Sequence, residues 1–169
     1  FDGALGGTAV VTATGAGHFV ITDEGVAGEA SAEITLAAAG LAGLTGDFSI
    51  RVNTIESAFN ASFAVGEDTV NLDLPEGPFL AIAGEGVQVD VTVGSFTQRL
   101  NGDFSFEQSG SGDERFVKFG VANVSATISA GGLGLAVTGG SGGFVLTSAG
   151  LAGVANVESV ALTGLSGVT

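Results

Sequence analysis

The residues able to do chemistry in this chain are few and stand apart from one another. A single histidine, His18, follows Gly17 in a glycine-rich stretch that reads as a turn. It could serve a Ser-His-Asp arrangement, where the imidazole takes the proton of a hydroxyl nucleophile. Serines and aspartates are plentiful, yet no Gly-x-Ser-x-Gly elbow occurs, and Ser111 in Gly110-Ser111-Gly112 lacks that spacing. Paired carboxylates could act as acid and base on a glycosidic bond, with Glu24, Glu67, Asp68, Glu85, Asp113 and Glu114 as candidates. Sugars are usually stacked on Trp or Tyr, and the chain has neither. Calcium is the remaining chemistry, since it takes carboxylate and carbonyl oxygens from flexible loops. The adjacent acids Asp23-Glu24, Glu67-Asp68 and Asp113-Glu114 stand in glycine-containing turns, and these six are the candidate metal ligands. They form no EF-hand loop. Gly131-Gly132-Leu133-Gly134 and Gly139-Gly140-Ser141-Gly142 lack the Asp of calcium-binding nonapeptide repeats. The expectation is therefore no catalytic centre, and calcium as the one candidate cofactor.

The elements that must carry these residues are strands. Apolar and polar residues alternate in Val87-Gln88-Val89-Asp90-Val91-Thr92-Val93. The same period of two runs through Phe48 to Asn53, Val70 to Leu74, Phe104 to Phe106 and Val124 to Ile128. Such runs make strands with one dry and one wet face, which favours antiparallel sheets. The Ala-rich stretch from Glu29 to Ala39 has no cap signature and reads as strand plus turn. Turn signals fall between the runs at Gly15 to Gly17, Asp23-Glu24-Gly25, Gly66-Glu67-Asp68, Pro75 to Pro78, Gly84-Glu85-Gly86, Asn101-Gly102, Gly110 to Asp113 and Gly139 to Gly143. The expected fold is all-β: an elongated antiparallel architecture, sandwich or β-solenoid, built from repeated hairpins.

Repetition organises the chain. Phe19-Val20-Ile21-Thr22 followed by Gly25-Val26-Ala27-Gly28 returns as Phe144-Val145-Leu146-Thr147 followed by Gly150-Leu151-Ala152-Gly153, 125 positions later. His18 falls on Gly143 and Asp23-Glu24 on Ser148-Ala149, so neither the histidine nor that acid pair is common to both copies. The division that follows is one long repeat over 1–132 and the start of a second copy over 133–169, packed on or continuing the same sheet. A shorter echo, Gly46-Asp47-Phe48-Ser49 and Gly102-Asp103-Phe104-Ser105, lies inside the long repeat.

Composition narrows the function classes. Four Lys and Arg face 18 Asp and Glu, a formal net charge of -14 that repels nucleic-acid phosphates and anionic headgroups. Cys is absent, which excludes disulfides and thiolate sites, and no apolar run reaches the length of a membrane-spanning helix. All 12 aromatics are Phe, so phenylalanine must supply most of the large packing volume. The 125-residue restart, the acidity, the lack of Cys and the Val/Gly/Thr/Ala-rich strands together resemble the repeat regions of large bacterial extracellular surface proteins, of the adhesin, biofilm-matrix or surface-filament type. That resemblance implies a cell-surface or extracellular structural module, an extender or assembly subunit, associating with itself or with neighbouring repeats. The alternative expectation is a calcium-assisted adhesin module that binds glycan or protein through loops such as Gly66 to Asp68 or Gly110 to Arg115.

Overall fold

The computed structural model describes residues 3–5, 9–38, 41–93, 96–130 and 133–164. Residue 132, where the first repeat ends in the sequence reading, and residues 165–169 of the second copy lie outside them. The chain is all-β. Its strands are β1 (Gly3–Leu5), β2 (Ala9–Ile21), β3 (Val26–Ala38), β4 (Leu41–Asn53), β5 (Phe59–Val65), β6 (Asp68–Leu74), β7 (Phe79–Val93), β8 (Phe96–Ser109), β9 (Phe116–Ala130), β10 (Leu133–Thr147), β11 (Gly150–Asn156) and β12 (Ser159–Thr163). A short 3-10 turn at Gly112–Glu114 joins β8 to β9. No helix among the described residues is long and apolar enough to cross a membrane.

Ten strands form one antiparallel sheet in the order β1-β2-β3-β4-β7-β8-β9-β10-β11, with β12 beside β11 along the same edge of β10. From β1 to β11 each sheet strand pairs with the next sheet strand in sequence, whereas β12 returns to β10; β5 and β6 form a separate two-stranded hairpin inserted between β4 and β7. The alternation in the sequence determines what each face carries, because neighbours along a strand point to opposite sides.

A small core closes one end of the sheet. The β5–β6 hairpin folds back so that Leu74 (1% exposed) meets Ala27 (0%), Ile55 (4%) and Phe79 (5%). Buried Asn53 ties this corner together. Its Nδ2 donates to the carbonyls of Ser57 (2.9 Å) and Pro75 (2.7 Å), and its Oδ1 accepts from the Ile55 amide (2.9 Å). Arg51 Nη2 donates to the Asp73 carbonyl at 2.6 Å, holding β6 against the sheet.

Several glycine clusters expected as turns lie inside strands. Gly15 to Gly17, together with His18, is in the middle of β2, and Asn101-Gly102 is in the middle of β8. Gly84-Glu85-Gly86 lies within β7, and Gly139 to Gly143 within β10. The turns at Asp23-Glu24-Gly25, Gly66-Glu67, Pro75 to Pro78 and Gly110 to Asp113 stand where the sequence placed them. The strand glycines have a different use. Phe19 lies opposite Gly28, Phe104 opposite Gly84 and Phe144 opposite Gly153. A Cβ added at any of the three glycines would collide with the facing ring. The missing side chain gives each ring its resting place on the neighbouring strand.

The two matching sequence segments both fold as strand–turn–strand hairpins, β2–β3 and β10–β11. In the β2–β3 turn the Thr22 hydroxyl accepts from the Glu24 and Gly25 amides, each at 3.2 Å. In the β10–β11 turn the Thr147 hydroxyl accepts from the Ala149 amide at 3.2 Å. The second copy of β3 is split into β11 and β12, with Val157 and Glu158 between them.

Candidate interaction surface

The two faces of the sheet differ completely in chemistry. Following the registers across the sheet, one face carries Phe19, Ile34, Phe48, Ile50, Ile82, Val87, Phe104, Phe106, Phe119 and Phe144, with glycines and small residues among them. No described strand position on this face bears Asp, Glu, Lys, Arg or His; its polar residues are Gln98 and Gln108. The opposite face carries His18, Glu29, Asp47, Arg51, Asp90, Arg99, Asp103, Glu107 and Lys118, and the β5–β6 hairpin covers one end of it. No described element covers the apolar face.

Charge on the polar face is ordered by register. Arg51 pairs with Glu29 (3.6 Å), Arg99 with Asp90 (2.7 Å) and Lys118 with Glu107 (2.8 Å), each cation directly opposite its acid on the adjacent strand. Solvent-exposed pairs of this kind add little stability, typically below about 1 kcal/mol. A one-residue slip would separate all three and turn the apolar set to the other side. The Arg99 guanidinium holds the Asp90 carboxyl below its ordinary value, first through its hydrogen bond and then through its charge.

A line of bulges creases the sheet. The β4–β7, β7–β8, β8–β9 and β9–β10 ladders each shift register near their middle. Gly86 (φ 58°), Asn123 (φ 54°) and Gly139 (φ 66°) take the left-handed conformation that an extra residue in a bulge adopts. Asp103 clamps two of these bulges from the polar face. One of its carboxylate oxygens accepts from the Gly86 amide at 2.8 Å and the other from Asn123 Nδ2. The Gly86 bond foremost, and the Asn123 bond after it, lower the Asp103 pKa. On the apolar side the crease forms a hollow of about 390 Å³ lined by Leu44, Phe48, Val89, Leu100, Phe104 and Val124. The rings of Phe48 and Phe104 stand 5.9 Å apart there, tilted by 56°.

Comparison of the chain with protein-family models, characterised proteins and solved structures finds no match. The surface itself is therefore the basis for any functional reading.

The six candidate metal ligands are kept apart. Asp23-Glu24 occupy the β2–β3 turn, Glu67-Asp68 the tip of the β5–β6 hairpin, and Asp113-Glu114 the β8–β9 turn. The first and last of these turns are separated by about four strand spacings, roughly 19 Å. Among the described residues no group of three or more His, Asp or Glu is placed to hold a metal ion. His18 lies on the polar face opposite Glu29, whose other neighbour is Arg51, in a shallow hollow with Ser31 and Ser49. The imidazole makes no hydrogen bond among the described residues.

Asp103 and Asn53 were not singled out by motif. The Gly-Asp-Phe-Ser echo was the signal for Asp103: its two copies put Phe48 and Phe104 on either side of Gly84 at the crease. Asn53 closes the alternating run of β4, and its three bonds depend on loop residues that no local pattern announces.

Proposed function

We propose that the chain is a structural assembly module of a bacterial extracellular or cell-surface protein, an extender, matrix or filament subunit whose product is sheet rather than a reaction. The observation that supports this reading best is the restart of β2–β3 as β10–β11 inside one continuous sheet. One period contributes the six sheet strands β2, β3, β4, β7, β8 and β9 before the pattern begins again. A sheet that renews its own pattern at its growing edge can be lengthened without a new kind of contact. Beyond Val11, where β1 ends, the outer edge of β2 has no partner among the described residues, nor do those of β11 and β12, so each offers backbone groups to a strand of a following copy. The net charge of -14 keeps such a ribbon soluble, and the absence of Met suits an oxidant-exposed exterior.

The test is to lengthen the chain by one 125-residue period and compare small-angle scattering of the two proteins. Six strands at the usual spacing add about 29 Å. The expected result is a particle about 29 Å longer with an unchanged cross-section. Two beads joined by a flexible connection would refute the extender reading.

A further inference from the structure

We propose that the uncharged face of the sheet is closed by the same face of a second copy of this chain, giving a two-layer assembly with the polar faces outward. This rests on the assembly reading above and names the surface that performs it. Three observations carry it.

The first is area. The chain exposes 10835 Å², whereas a compact monomer of its 16.4 kDa mass exposes about 7,500 Å². That excess is shared by the two open faces of a single-layer sheet, and about half of it falls within the roughly 1,000–2,500 Å² that each partner contributes to an obligate dimer interface. It also has the right chemistry. Ile50 (37%), Leu100 (47%), Phe119 (42%), Phe144 (36%) and Leu146 (49%) all remain open to water on the apolar face, and contiguous patches of this kind are rare on monomers.

The second is charge. Every described strand charge of the main sheet points to the opposite face, so two apolar faces can meet without burying an ion or opposing like charges. An anionic membrane is a poorer partner. Laying this face on it would bring the acidic turns at Asp23-Glu24 and Asp113-Glu114 towards headgroups of the same sign.

The third is shape. The face offers both ridge and hollow: Phe106 and Phe119 are directly opposed on β8 and β9, beside the 390 Å³ hollow along the crease. A two-fold contact presents the same patch from both sides, so one surface must contain both the projecting and the receiving part. Sheets packed this way interdigitate about 10 Å apart.

The experiment compares the wild-type chain with Leu100→Asp on the apolar face and Thr127→Asp on the polar face, by sedimentation across micromolar concentrations. The wild type and Thr127→Asp are expected at twice the 16.4 kDa chain mass or at even multiples of it. Leu100→Asp is expected at the single mass, with unchanged strand content by circular dichroism. Should Leu100→Asp unfold, a second pair decides. The chain has no cysteine, so Leu100→Cys and Thr127→Cys each carry one thiol. Face-to-face packing slows maleimide labelling of Leu100→Cys at least tenfold between dilute and concentrated protein and leaves Thr127→Cys unchanged. A wild-type chain that stays single at all concentrations overturns the proposal. So does equal labelling of the two thiols, or transfer of the single chain onto neutral phosphatidylcholine vesicles. None of these results changes the lengthening expected of the two-period chain, so the extender reading stands or falls separately.

Discussion

Gly84 lies between Phe48 on β4 and Phe104 on β8, and its lack of a side chain lets the Phe104 ring settle at the crease beside Phe48. A glycine-to-alanine change in a strand ordinarily stabilises by about 0.4–1 kcal/mol through the unfolded chain. Here the new Cβ meets the Phe104 ring, so Gly84→Ala is expected to destabilise by about 1–3 kcal/mol, read as a lower urea midpoint. Asp103 makes a prediction in pH. Its pKa is lowered in the fold, first by the Gly86 amide and then by Asn123. The stability it adds is complete above the ordinary carboxylate value of about 3.9 and is lost as the pH falls through the lower, folded value. Urea midpoints of the wild type and Asp103→Asn should differ at pH 7 and converge towards pH 2; a constant gap would show that the carboxylate charge is not what holds the bulges. Neither effect could be read from the sequence. The Gly-Asp-Phe-Ser echo marked Asp103 and left Gly84 unmarked, and nothing local says that the Asp reaches a bulge on one neighbouring strand and an Asn on the other.

Among the elements, the β5–β6 hairpin is the only second layer the described residues form. Val70, Leu72 and Leu74 were legible as one face of a strand, since they alternate with Asn71 and Asp73. That this face would land on the polar side of the main sheet was not legible, because it depends on the loops around Asn53. Asn53→Ala removes three hydrogen bonds and leaves the Ser57 and Pro75 carbonyls without their partner. The expected loss is about 2–4 kcal/mol, with hydrogen exchange in β5 and β6 accelerating before that in β8 and β9. Uniform acceleration would mean that the hairpin and the sheet unfold as one unit. The misplaced turns belong to this scale as well. Gly15 to Gly17, Gly84 to Gly86 and Gly139 to Gly143 look like turns because glycine tolerates turn conformations. In the sheet Gly84 seats the Phe104 ring, Gly86 and Gly139 supply bulges, and Gly15 and Gly17 let β2 lie close against Ala32 and Ala30 of β3.

For the whole molecule, the balance between net charge and apolar face controls association. Chains carrying -14 repel one another while their uncharged faces attract. Association should therefore strengthen with added salt, which screens the repulsion, and as the pH approaches the sequence pI of 4.1. Sedimentation at 20 mM and 500 mM NaCl checks this; weaker association at high salt would point to ion pairs as the attractive contact. The sequence by itself determined that this chain is antiparallel β-sheet, that its strands have one dry and one wet side, and that its pattern restarts after 125 residues. Those properties follow from side-chain period and identity, which are local. Only the tertiary structure decided that the dry sides of nine strands line up into one uncovered face, that glycine clusters become a crease, and that the turn acids stay apart. Those depend on register and strand order, which arise from pairings between residues far apart in the chain.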